Sequence, residues 1–167
     1  MGLEGDRFKI YVDRLQNGEV EQISERISPD FLELAERDLR FEKDIALGAE
    51  AYLAEDTLIL HLNIEAIAEM PCAICNRMTN EPIRLKGLYH TVPLASIKSA
   101  VYDYRDSLRE AILLEVPAVA ECHEGSCPER KEIGKYFRSP SKKEDEYHPF
   151  ENLEIENSSE SGNGTRG

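Results

Sequence analysis

The amino-acid sequence predicts an α+β protein built on a twisted antiparallel sheet, with one or two helices in its C-terminal half. Alternating apolar and polar residues between positions 44 and 64 indicate strands, because successive side chains of a strand point to opposite faces. Apolar residues spaced by three and four between Ile97 and Ile112 indicate helix. The 167 residues have room for one domain, since domains most often contain about 100–150 residues. We place it at residues 1–138, followed by a tail at residues 139–167.

The N-terminal segment has the pattern of a strand, a turn and a second strand. Hydrophobic residues alternate over residues 8–12, which is the period of a half-buried strand. Asn17–Gly18 then supplies residues that tolerate positive φ, so a hairpin into a second strand over residues 19–27 is expected. Ser28–Pro29 has the capping hydroxyl and the ring that are typical of a helix start, and it predicts a short helix to about Leu39.

The clearest pattern is a pair of period-2 runs on either side of the acidic turn Glu55–Asp56. Such a pair predicts an antiparallel hairpin, which we expect to form the scaffold of the core. Its second strand leads the chain to Cys72. The apolar positions of the two runs are Ile45, Leu47, Ala49, Ala51 and Leu53 before the turn, and Leu58, Leu60, Leu62 and Ile64 after it.

A further strand and the helical region follow the first cysteines. The strand should end at Pro93, and the helical spacing beyond it contains a capping-box pattern at Ser107 and Glu110. That pattern predicts either one helix or two helices broken near Asp106, ending before Pro117. Strict alternation puts Ile83, Leu85, Gly87 and Tyr89 on one face of the strand, and Arg84, Lys86, Leu88 and His90 on the other.

The formal net charge of −13 limits the partners that the whole molecule can bind. Affinity for a nucleic-acid backbone comes mainly from lysine and arginine that replace condensed cations, so a basic protein partner fits this charge better. Residues 139–167 hold seven acids and three bases, and such a segment cannot bury enough apolar surface to offset its ordering entropy. A disordered acidic tail is therefore expected.

The sequence indicates neither a signal peptide nor a membrane span. The first residues lack a basic segment followed by an apolar run, and no later window approaches the ~18 apolar residues that a span requires. We therefore expect a cytoplasmic protein. The sequence does not indicate its oligomeric state.

All four cysteines lie in two short motifs, Cys72-x2-Cys75 and Cys122-x4-Cys127. Thiolates at such spacings can wrap a zinc ion, and four of them would complete a tetrahedral site that is structural rather than catalytic. The sequence thus predicts a zinc-clipped end, in which the ion joins the middle of the chain to its C-terminal part. The alternative is a reversible redox dithiol at Cys72 and Cys75, whereas structural disulfides are disfavoured in a reducing cytosol.

Basic residues are concentrated between the two cysteine pairs of this acidic chain. The candidates for contact with nucleic-acid phosphate or with a partner are Arg77, Arg84, Lys86 and His90. Strict alternation places the last three on one side of a strand. Two other interpretations stay open, a solvated strand face or counter-charges for a zinc–thiolate cluster. No nucleophile–base pair and no Gly-rich phosphate loop emerges from the sequence, so an enzyme is not expected.

Together these features resemble the YceD family, known as the large ribosomal RNA subunit accumulation proteins. The resemblance is carried by a hairpin leading into Cys72-Ala-Ile-Cys75, by the segment from Asp103 to Pro117, and by Cys122 to Cys127. It covers about residues 8–130. It implies a non-enzymatic factor that supports accumulation of large-subunit ribosomal RNA and ribosome assembly. The implied partner is a ribosomal protein or the large-subunit rRNA precursor.

One motif departs from the family pattern. The usual Cys-Gln-Arg-Cys-Leu core is Cys-Ala-Ile-Cys-Asn in this chain, so the arginine between the cysteines is absent, although Arg77 follows the motif. The runner-up hypothesis is a cytosolic thiol-redox or zinc-dependent protein-interaction module unrelated to ribosomes.

Overall fold

A computed structural model of the chain describes residues 6–136. The contacts divide the chain into two units, Met1–Glu132 and Ile133–Gly167. The predicted boundary at residue 138 and the predicted disordered tail lie outside the described residues. The strands are β1 (Lys9–Tyr11), β2 (Glu21–Ile27), β3 (Ile45–Ala54), β4 (Thr57–Pro71), β5 (Met78–Pro93) and β6 (Val101–Asp103). The α-helices are α1 (Arg105–Glu115), α2 (Cys122–Gly125) and α3 (Arg130–Ile133), and 3₁₀ helices span Val12–Gly18, Pro29–Leu32, Leu94–Ser96 and Gly134–Tyr136.

Four strands form one antiparallel sheet in the order β2–β3–β4–β5, and β1 pairs with β6 in a separate two-stranded ladder. The predicted α+β class with a twisted antiparallel sheet is thereby confirmed. The longest helix, α1, covers eleven residues and buries Leu108 and Ile112 in the core. Among residues 6–136, none of the helices combines the length and the apolar composition that a bilayer crossing requires.

The central hairpin of β3 and β4 matches the prediction. Leu53 pairs with Leu58 and Ala54 with Thr57, which leaves Glu55–Asp56 as a two-residue turn. The first turn residue has a φ of 53°, a left-handed conformation that such turns use. The inner side chains that are buried include Ile45, Leu47, Ala49 and Ala51 from β3, and Leu58, Leu60, Leu62 and Ile64 from β4.

The main core includes the inner face of the sheet, α1 and the N-terminal segment. Removing a side chain of leucine size from water is worth about 1.5–3 kcal/mol, so these contacts dominate the stability. Tyr104 is buried just before α1, where its hydroxyl donates a hydrogen bond to the Arg7 carbonyl oxygen at 3.1 Å. Its ring meets that of Phe8 edge-on, with the centroids 5.8 Å apart. Burial raises the pKa of Tyr104, so the fold accommodates the neutral phenol.

The prediction of an N-terminal hairpin is wrong. Strand β1 pairs with β6, with Ile10 opposite Tyr102, and β2 pairs with β3 instead. Between β1 and β2 the chain forms a 3₁₀ helix that buries Val12 and Leu15, and Asn17 has the positive φ expected of a turn residue. The alternating pattern therefore identified β1 but not its partner strand. The pattern of side chains is the same whether the hydrogen-bonded partner is near in sequence or remote, as β6 is.

The helix predicted to reach Leu39 is shorter than expected. It is a single 3₁₀ helix over Pro29–Leu32. Ser28 caps it as predicted, and the Ser28 hydroxyl accepts a hydrogen bond from the Asp30 N–H at 3.5 Å. The helix ends because Glu33 adopts a left-handed conformation with a φ of 47°.

The spacing that predicted helix after Pro93 contains a strand as well. Val101–Asp103 form β6, and α1 begins at Arg105. The backbone N–H and C=O groups of Val101–Asp103 pair with β1, so they are not available for the hydrogen bonds of a longer helix. The predicted capping box at Ser107 and Glu110 is also wrong, since the side chain of Asp103 accepts the hydrogen bond from the Arg105 N–H at 2.9 Å. The prediction of a break near Asp106 is thus right in position, but the break separates a strand from a helix and not two helices.

Strand β5 contains a β-bulge. The register shifts between the pairs Leu62–Leu88 and Ile64–Leu85, so β5 has one residue more than β4 in this interval. Gly87 lies in the bulge with a φ of 67°, and its N–H donates to the side-chain oxygen of Asn63 at 2.9 Å. Glycine suits this position because a side chain is strained at positive φ.

The bulge reverses the faces of β5 beyond Gly87. Arg84 and Lys86 are exposed on the outer face of the sheet, whereas Nε2 of His90 lies 2.7 Å from the hydroxyl of Tyr102 on the other side. The prediction that Arg84, Lys86 and His90 share one side of the strand is therefore wrong. Strict alternation fails here because it assumes one residue opposite one residue along the whole ladder.

Replacing the bulge glycine tests this geometry. Gly87→Ala should lower the free energy of unfolding by about 1–2 kcal/mol, the cost of a left-handed residue with a Cβ. Strain is the expected cause, because the added Cβ would meet its nearest neighbour, His61 Nε2, only at 3.7 Å. The matched control is Gly48→Ala, whose Cβ would lie 4.0 Å from Asn63 and whose φ is ordinary. Equal stabilities of the two variants in urea denaturation would contradict the assignment.

Candidate metal centre

The cysteines come from two segments that the fold brings side by side. Cys72 directly follows β4, Cys75 lies in the turn before β5, and Cys122 and Cys127 lie beyond α1. A parallel bridge joins Cys72 to Ala120, and the Ala73 N–H donates to the carbonyl oxygen of Ala120 at 2.8 Å. The backbone therefore aligns the two motifs before any sulfur is considered.

The first motif is a tight loop closed by its own backbone. The N–H of Asn76 donates to the Cys72 carbonyl oxygen, and the N–H of Cys72 donates to the Arg77 carbonyl oxygen, both at 2.8 Å. Asn76 has a φ of 60°, which lets the chain reverse direction here. The N–H of Ile74 points at Cys72 Sγ from 3.4 Å. A loop of this kind presents both sulfurs to the same side.

The second motif reverses the chain through three consecutive left-handed residues. His123, Glu124 and Gly125 have φ values of 55°, 52° and 86°. The Cys127 N–H donates to Oε1 of Glu121 at 2.9 Å, so a side chain from before the motif supports its second cysteine. The four-residue gap is therefore wide enough to place both sulfurs toward the first motif.

The sulfur atoms of Cys72, Cys75, Cys122 and Cys127 all lie within 4.8 Å of one another. We call these four residues the cysteine cluster. Zinc–sulfur bonds of about 2.3 Å at tetrahedral angles would separate the sulfurs by about 3.8 Å. The Sγ atoms of Cys75 and Cys122 are 3.7 Å apart. The arrangement is thus compatible with a metal site such as zinc, as the spacing predicted.

Three members of the cysteine cluster are buried, and Cys75 is partly exposed. Cys72, Cys122 and Cys127 are 1%, 8% and 4% exposed, and Ile74 packs against them. Four thiolates would fill a tetrahedral shell and leave no position for water or substrate. An ion held there would cross-link the chain.

The thiols differ in their readiness to ionise. Burial alone would raise the pKa of Cys72, but backbone hydrogen bonds at Cys122, Cys75 and Ile74 outweigh it and lower that pKa to about 6. Burial and the neighbouring thiols raise the pKa of Cys122 to about 12, and burial raises the pKa of Cys127. A bound cation would replace the protons of these thiols.

Two guanidinium groups face the cysteine cluster. The pKa of Arg77 is raised by its hydrogen bond to Cys75 and then by Glu129, whose Oε1 accepts from Nη2 of Arg77 at 2.7 Å. Arg130 is bound by both oxygens of Glu121, which raises the pKa of the guanidinium. Each guanidinium is paired with a carboxylate, so the two ion pairs add no net charge against the −2 that a divalent ion with four thiolates would have.

Glu121 and Arg130 are the residues that sequence reasoning missed. Arg130 first, and then the Cys127 N–H, lower the pKa of Glu121 to about 2, so the carboxylate is ionised at neutral pH. Both residues flank the second cysteine pair. They are nine residues apart. Because the chain has many charged residues, this spacing alone does not distinguish a bonded pair from two solvated side chains.

The four candidate contact residues are not brought together. Arg77 belongs to the surroundings of the cysteine cluster, where its guanidinium pairs with Glu129. Arg84 and Lys86 are exposed on the outer face of the sheet. His90 lies on the inner side, where its Nε2 is 3.2 Å from the Ser107 hydroxyl oxygen. His123 adjoins the cluster, with its Nδ1 3.3 Å from Cys122 Sγ.

Comparisons with protein-family models, curated proteins and solved structures found no significant match. The family resemblance inferred from the sequence motifs therefore stays a prediction.

Removing the charge of Glu121 should weaken the metal site while leaving its ligands in place. Glu121→Gln loses the ionic contact with Arg130 and weakens the support of the Cys127 N–H, so zinc affinity should fall by about tenfold, the lower range for residues that orient ligands. Competition with a chromophoric chelator measures it. Glu124→Gln is the matched control, because this exposed residue lies in the same loop and loses the same charge. Equal affinities of the two variants would refute the supporting role.

Proposed function

We propose that the protein is a non-enzymatic factor that supports the accumulation of large-subunit ribosomal RNA and the assembly of the large ribosomal subunit in the cytoplasm. The observation that carries the proposal is the cysteine cluster, since the same two cysteine motifs carry the resemblance to the YceD family. Its mostly buried sulfurs and the backbone bridge from Cys72 to Ala120 suit an element that shapes a binding surface.

The proposed ion is zinc in a structural role. Four thiolates with a 3.7 Å separation between Cys75 and Cys122 suit its tetrahedral preference. A filled shell of this kind has no position at which a substrate could be polarised. Zinc would therefore contribute to folding rather than to catalysis.

Charge supports a basic partner. The chain has a net charge of −13, so its overall field attracts a basic ribosomal protein more readily than RNA. The outer face of β5 is the exception, because Arg84 and Lys86 are exposed there. Opposite Arg84 on β4, however, lies Glu65, which reduces the local positive charge. We therefore favour direct contact with a ribosomal protein over direct contact with RNA.

Deleting the gene in its own host tests the proposal. The ratio of large-subunit to small-subunit ribosomal RNA should fall, and the tagged protein should sediment with large-subunit precursors. Cys127→Ser should fail to restore the ratio, because a structural zinc site contributes on the order of 10 kcal/mol to folding. Ser126→Ala, next to the same cysteine, should restore it.

The competing hypothesis makes opposite predictions. Normal ribosomal RNA after deletion, with no sedimentation with precursors, would end the ribosomal proposal. A thiol-redox module would be supported by zinc-free protein from reducing cells and by a reversible disulfide between Cys72 and Cys75.

A further inference from the structure

A groove of about 310 Å³ runs between β5 and α1. Its floor is apolar, with Leu85 and Leu88 from the strand and Ala111 and Leu114 from the helix. Leu114 is 78% exposed, although it sits on a helix whose neighbouring turns bury Leu108 and Ile112. Isolated exposed leucines are common. This one instead continues an apolar surface.

The groove lies beside an edge strand of the sheet. Strand β5 is the last strand in the order β2–β3–β4–β5, so within residues 6–136 its outer edge has no strand partner. An edge of this kind presents backbone N–H and C=O groups that an extended peptide can pair with. The groove lies directly beside it, where the side chains of such a peptide would be placed.

The charged side chains that line the groove are acidic. Glu110 and Glu115 line it, and no lysine or arginine is among the described residues that do so. The one imidazole, that of His90, is bonded to the hydroxyls of Tyr102 and Ser107. A cationic side chain that enters the groove would thus meet two carboxylates and no competing cation.

The outer side of β5 has the opposite chemistry. Arg84 and Lys86 are exposed there, so side chains of an added strand that point outward should be uncharged or acidic. Side chains that point into the groove should be apolar or basic. Because neighbouring residues of a strand point to opposite faces, this contrast defines a pattern for the partner.

We propose that the groove binds an extended basic segment of a partner protein, which adds a strand to the edge of β5. Its inward side chains pack against Leu88 and Leu114, and its flanking lysines or arginines pair with Glu110 and Glu115. A second copy of this chain is disfavoured, since its groove would bring carboxylates against carboxylates. Residues 139–167, with seven acids and three bases, are disfavoured for the same reason.

This inference goes beyond the proposed function, because it holds for any basic partner. Normal ribosomal RNA after gene deletion would end the ribosomal proposal and leave groove binding untouched. Loss of groove binding, conversely, would leave the ribosomal proposal to be decided by RNA levels.

The test uses a fluorescent peptide of about seven residues, Thr-Lys-Thr-Val-Thr-Lys-Thr, whose alternate side chains span the groove at about 3.3 Å per residue. Fluorescence anisotropy with the full chain should show binding, and the peptide with glutamate in place of lysine should not bind. Hydrogen exchange should slow at the backbone amides of β5. Leu114→Ser, at an exposed position, should weaken binding several-fold without unfolding the protein.

The charge contribution is isolated by two double variants of equal net charge. Glu110→Gln/Glu115→Gln should weaken peptide binding by about tenfold, as expected for two partly desolvated ion pairs. Glu36→Gln/Glu42→Gln, at exposed positions on another segment, should change it by less than about twofold.

Five results would overturn the proposal. The first four are equal binding of the glutamate peptide, equal effects of the two double variants, unchanged exchange in β5, and binding of labelled oligouridine that Leu114→Ser weakens. Self-association that is lost in Leu114→Ser would also overturn it, because it would identify a second copy as the occupant.

Discussion

The contact between the two cysteine motifs is the constraint on which the placement of the C-terminal half of the fold depends. Cys75 and Cys122 are separated by 47 residues, and closing a loop of that length costs on the order of 3 kcal/mol in chain entropy. The closed segment contains β5, β6 and α1. The three-residue strand β6 would be weak alone. Joining the two ends of the segment therefore helps to hold β6 against β1 and α1 against the sheet.

Much of the fold could be predicted because its strongest signals are local. The β3–β4 hairpin follows from two period-2 runs and a short turn, and the cysteine cluster follows from ligand spacing. The pairing of β1 with β6 could not be predicted, because Ile10 alternates in the same way beside either partner. The helix expected to reach Leu39 failed for a different reason, since the backbone reversal at Glu33 has no side-chain signal.

One residue accounts for the largest error in the site prediction. Gly87 was assigned to an ordinary strand face, and its bulge moves His90 to the side opposite Arg84 and Lys86. The same bulge gives β5 two surfaces of different chemistry, an outer face that exposes Arg84 and Lys86 and an acidic, apolar groove beside α1. Glu121 and Arg130 were missed because their importance comes from contacts with a loop whose conformation the sequence does not reveal.

Zinc K-edge X-ray absorption on protein purified under reducing conditions addresses the cysteine cluster most directly. If the four cysteines hold the two segments together through an ion, about one zinc per chain should be found with four sulfur neighbours at about 2.3 Å. A shell that contains nitrogen or oxygen ligands, or protein that is folded without bound metal, would contradict a four-thiolate cross-link.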